Sequence, residues 1–133
     1  MPWDPNVPGA TAQADNAEPQ RPGANVVPSA ARTATGNSGA ILVNGADKVS
    51  FLLETTAASG TTPSYTFSVE WSHNGTTWFT PSTPDTLGAA VTAANVRRIT
   101  TFDVKAPFAR IVWTVTGTNP SLTFAIHAHL VDY

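Results

Sequence analysis

From Ser121 to Leu130 the side chains alternate without a break, with Leu122, Phe124, Ile126, Ala128 and Leu130 on one side and Ser121, Thr123, Ala125, His127 and His129 on the other. A period of two suits a strand with one buried face and conflicts with the 3.6-residue period of a helix. The same period runs through Tyr65, Phe67, Val69 and Trp71, which oppose Thr66, Ser68, Glu70 and Ser72. It recurs in Ala109, Ile111, Trp113 and Val115, and over 48–55, where Val49, Phe51 and Leu53 alternate with polar residues although Leu52 breaks the polar side. Arg97 to Val104 reads as a further strand, and no stretch of ten residues carries a helical period. These strands predict an all-β fold, an antiparallel β-sandwich or jelly-roll-like domain, with the strand order left open.

The segments between the strands read as turns and loops. His73-Asn74-Gly75 predicts a tight hairpin with 76–80 as the returning strand, because Asn-Gly tolerates the positive φ such turns need. Residues 81–94 read as a surface loop, and Gly117-Thr118-Asn119-Pro120 as a reversing turn.

The first forty residues differ in kind. They hold Pro2, Pro5, Pro8, Pro19, Pro22 and Pro28, but only Trp3, Val7, Val26 and Val27 as sizeable apolar groups. Proline fixes φ and removes a donor, and four apolar side chains cannot make a core. The chain therefore divides into an extended arm, 1–40, and a sandwich domain, 41–133. Ordering a backbone costs on the order of 1–2 kcal/mol per residue, more than this arm recovers from its own domain, so neighbouring molecules are expected to hold it. Extended at about 3.1 Å per residue it reaches roughly 120 Å. Trp3, Pro5, Val7, Val26 and Val27 are the expected partner contacts.

Charge and composition narrow the function. A net charge of −2 with 12% charged residues lacks the basic excess that phosphate binding demands, so nucleic acid is not an expected partner. No apolar run approaches the roughly 20 residues of a spanning helix, and the start Met1-Pro-Trp-Asp-Pro lacks the regions of a signal peptide. No membrane association is expected, and a soluble chain made in the cytoplasm is. There is no cysteine, so stability is expected from packing and assembly. His127 and His129 share one face of a strand and could give two imidazoles to a metal, but a third ligand from His73, Asp132 or Glu70 has no motif spacing behind it. The nine acidic residues are scattered singly, and no nucleophile elbow or phosphate loop occurs. No metal, cofactor or enzymatic activity is expected. Trp71 and Trp113 lie on apolar faces and read as core, which leaves Trp78 as the candidate sugar platform.

The run Phe67-Ser-Val-Glu-Trp-Ser-His-Asn-Gly-Thr-Thr-Trp78, together with Phe102-Asp-Val-Lys-Ala-Pro-Phe-Ala-Arg-Ile-Val112 and the closing strand, resembles two groups. One is the discoidin-like and carbohydrate-binding jelly rolls. The other is the small virion proteins of tailed bacteriophages, which the proline-rich arm and the lack of cysteine and signal peptide favour. This second resemblance implies a non-enzymatic capsid decoration or cement protein on the capsid exterior, synthesised in the host cytoplasm. It would be anchored to the phage head by the arm, with the major capsid protein and neighbouring copies as partners. A homo-oligomer, a trimer for instance, is expected from the closed symmetry of shells. The alternatives are a carbohydrate-binding or adhesion module, and a tail, connector or head-fibre component.

Overall fold

The computed structural model describes residues 24–132, which form one antiparallel sheet of seven strands. The strands are β1 (Ala24–Arg32), β2 (Gly36–Asn37), β3 (Ile41–Leu42), β4 (Lys48–Ser72), β5 (Asp85–Thr86), β6 (Arg97–Asp103) and β7 (Phe108–Val131). No helix is present among the described residues, and so none long and apolar enough to cross a membrane. The frame is the pair of long strands β4 and β7, which run side by side from Lys48↔Val131 to Ser72↔Phe108. β1 pairs with the second half of β7 and β6 with the first half of β4; β2 and β3 pair with the first half of β7, and β5 with the second half of β4.

This frame is folded over on itself. Phe124 and Trp113 lie eleven residues apart on β7, about 36 Å if the strand were straight, yet their ring centroids are 5.2 Å apart. Phe124 also meets Phe67 at 5.0 Å and Tyr65 at 6.3 Å, all three contacts edge to face. The inward faces are the predicted ones. Val49, Phe51 and Leu53, then Tyr65, Phe67, Val69 and Trp71, meet Ala109, Ile111, Trp113, Leu122, Phe124, Ile126 and Ala128 in one core. Burying each large side chain contributes about 1.5–3 kcal/mol. Thr55 is buried among them with its hydroxyl satisfied, donating to the Ala93 carbonyl and accepting from the Val96 amide.

The fold line explains one departure from the sequence expectation. Gly117 to Pro120 does not reverse the chain, and neither does Gly60 to Pro63; both lie inside continuous strands, paired through Thr61↔Thr118. Each has a glycine at positive φ (106° at Gly60, 118° at Gly117) and a residue at φ 47° just before its proline (Thr62, Asn119). Register shifts at this point bulge both strands together, and paired bulges bend a ribbon where a single turn would end it. The two segments are copies. Gly60-Thr-Thr-Pro-Ser-Tyr-Thr-Phe-Ser-Val69 matches Gly117-Thr-Asn-Pro-Ser-Leu-Thr-Phe-Ala-Ile126, each position having its counterpart 57 residues on. The pairing follows the copy: β1 lies against Ile126 through Val27, and β5 lies against Val69 through Asp85, equivalent positions under the same offset. The sandwich is thus two related halves about an approximate dyad through the Thr61–Thr118 corner.

The structure also moves the boundary of the arm. Residues 24–32 are an edge strand, not part of a free arm: Val27 is fully buried in the core and Val26 packs against it. Pro28 is tolerated there because an edge strand needs no inner amide at that position, and the register shifts between Val27 and Ala30. Gly36–Asn37 and the Trp113 indole, which donates to the Ala34 carbonyl at 3.1 Å, extend the body further into the expected arm. Val26 and Val27 therefore serve their own core instead of a partner. Trp3, Pro5 and Val7 lie outside the described residues.

Candidate binding cleft

At the end of β4 the chain leaves the sheet through Ser72, whose buried hydroxyl accepts from the Gly75 amide at 2.8 Å, while Asn74 Oδ1 accepts from the amides of Thr76 and Thr77 at 2.9 Å. This is a wider loop than the expected Asn-Gly hairpin, and only Gly75, at φ 80°, takes positive φ within it. The side-chain oxygens satisfy the amides that a two-residue turn would have used in its ladder. The returning strand shrinks to one bridge, in which Trp71 and Phe79 exchange backbone hydrogen bonds of 3.0 and 2.8 Å.

That bridge builds a cleft of about 260 Å³. Trp71 forms its floor, with the indole N–H donating to Asp85 Oδ2 at 2.9 Å. Lys105 donates to the same carboxylate oxygen at 2.9 Å and sets its ammonium 5.2 Å from the Trp71 ring. Phe79 makes one wall, 55% exposed, with His73 tilted against it at 5.7 Å, and Pro81 and Ala106 complete the lining. An exposed aromatic beside a pinned indole and a cation can hold a flat or ridged apolar ligand.

Trp78 is not part of this cleft. Its side chain meets the outer face of the sheet, where the Arg110 guanidinium stacks 4.6 Å from its ring centre and is itself held by Glu70 at 2.7 Å. The guanidinium covers one face of the expected sugar platform. Trp71 and Trp113 are both core residues. Phe79, which sequence reasoning passed over, is the exposed aromatic of the cleft; its placement opposite Trp71 depends on the loop and not on any local pattern.

His127 and His129 stand on the outer face of the other half, in cross-strand rows with Leu52 and Ser50. Leu52, the break in the polar side, continues that row to Ile99, which is 71% exposed, and these residues line a shallow groove of about 350 Å³. Among the described residues no three His, Asp or Glu side chains converge to hold a metal ion. Arg97 and Arg98 point to opposite sides as alternation requires, the first to Glu54 at 2.9 Å, the second to the carbonyls of Leu87 and Ala89.

Among the described residues, two ionisable groups depart from their ordinary range. Burial raises the Tyr65 hydroxyl, a backbone hydrogen bond at Leu122 opposing it in part, and the hydroxyl donates to the Arg32 carbonyl. Asp103, on the surface, is lowered by its hydrogen bond from Lys48 and by that ammonium's charge. Neither group borders the cleft. No protein-family model, no curated protein and no solved structure matches the chain.

Proposed function

We propose that this chain is a non-enzymatic structural protein of a phage particle, bound to the outside of the capsid by its amino-terminal leader. One observation carries the reading: β1, the first described strand, is fastened into the core by Val27, so the proline-rich sequence that precedes it is joined to a core strand. A segment joined covalently to a core strand passes any load on it to the whole sandwich, as an anchor must. The major capsid protein and neighbouring copies are the partners, met through apolar anchors such as Trp3 and Val7 and through added strand or groove contacts.

Deleting residues 1–23 tests this. The shortened protein keeps β1, so it is expected to unfold at the parental midpoint and to lose binding to shells that lack the protein. Binding at parental affinity refutes the reading. Removing 1–40 is a poor test, since it takes away Val27 and an edge strand. The carbohydrate-binding alternative would place Trp78 at a sugar, and a glycan array of the parent against Trp78→Ala tests it.

A further inference from the structure

We propose, resting on the assembly reading above, that the Trp71–Phe79 cleft receives the leader of a second copy, with Pro2, Pro5 and Pro8 as the ridge that enters it. These prolines recur every third residue, the repeat of a polyproline II helix, which would bring all three onto one edge. Such ridges are recognised by aromatic-lined grooves, and proline lowers the entropy lost on docking because its φ is already fixed. The cleft has that character. The Phe79 ring stands exposed with His73 tilted against it, Pro81 and Ala106 add apolar wall, and the Trp71 indole, 3% exposed and held by Asp85, forms a rigid base beneath them. A sugar would need several convergent polar groups, and this lining offers few.

Charge and reach agree. Asp4 lies inside the proline ridge, and the Lys105 side chain, 42% exposed beside Trp71, gives it a cation to face. Between Pro8 and the first described strand run the residues Gly9 to Gly23, which would span about 45 Å if fully extended at ~3.1 Å per residue. A domain of this size has a radius of gyration near 13 Å, so a span of that length is sufficient for the ridge to reach a neighbouring copy. Placing Trp3 and Val7 between the prolines gives the second copy's cleft apolar side chains to seat as well.

The experiment uses the full chain with Phe79→p-benzoylphenylalanine, mixed as light and 15N-labelled copies, irradiated and digested. Cross-links are expected from position 79 to residues 1–11 of a copy carrying the other label. They are expected to fall at least tenfold with Pro2→Ala, Pro5→Ala and Pro8→Ala combined, and with excess free peptide of residues 1–11. Cross-links confined to a single copy, cross-links to other segments, or yields indifferent to the prolines overturn the proposal. So does a glycan that protects position 79 while the leader does not. The shell-binding assay of the 1–23 deletion separates this from the broader reading, because a leader that binds the shell but never reaches position 79 defeats only the cleft assignment.

Discussion

Replacing Gly117 by alanine is expected to remove a large part of the protein's stability. The residue sits at φ 118°, and a Cβ built there lies 2.7 Å from the Thr62 carbonyl oxygen and 3.0 Å from the Pro63 Cα. Holding an alanine in that backbone region costs about 1–3 kcal/mol. The contact adds about 1–3 kcal/mol more, because the opposing atoms are backbone and no rotamer change relieves them. Gly60 is its counterpart across the corner, at φ 106° and 2.5 Å from the Asn119 carbonyl oxygen, so the same loss is expected there. Gly45 is the control, with φ 90° but nothing within 4 Å, so that alanine meets only the backbone strain. Against a typical total of roughly 5–15 kcal/mol, the corner variants are expected to lose about 2–6 kcal/mol and Gly45→Ala about 1–3 kcal/mol. Guanidinium unfolding measures this as a shift in midpoint at constant slope. Corner variants no less stable than Gly45→Ala would refute the paired-bulge account of the fold.

Phe124→Ala is expected to cost about 3–5 kcal/mol in the same assay, since it opens a cavity among Tyr65, Phe67 and Trp113. Because burial raises the Tyr65 hydroxyl, its contribution is complete below the ordinary tyrosine range and is lost as pH rises through the folded value. Ionisation followed at 295 nm is therefore expected to show a phase that coincides with alkaline unfolding and is missing in Tyr65→Phe. Asp103 is lowered, so its carboxyl is expected to titrate by NMR below the usual aspartate range, and Lys48→Met to move it upward. Arg110→Ala is expected to bare a face of Trp78, seen as stronger acrylamide quenching relative to a Trp78→Phe background.

The faces of the strands were legible from the chain alone. Alternation at Tyr65–Trp71 and Leu122–Leu130 reported which side chains go inside, because a strand offers two sides and water permits only one to be apolar. The copied segments at Gly60 and Gly117 were equally visible as letters. Their meaning was not: a glycine and a proline three apart suggest a reversal when read locally, and only the side-by-side placement of two such segments turns reversal into a bend. The edge position of Pro28 is of the same kind, since proline disqualifies a central strand and not an outer one.

The cleft lay beyond sequence reading because Trp71, Phe79, Asp85 and Lys105 come from separate segments that share no local period. Chain pattern determined the strand faces. Tertiary structure decided where the body starts, how the long ribbon closes and which aromatic stays exposed. Patterning reports a residue's affinity for water, whereas neighbourhood is set by pairing between strands distant in sequence, and no single segment encodes that pairing.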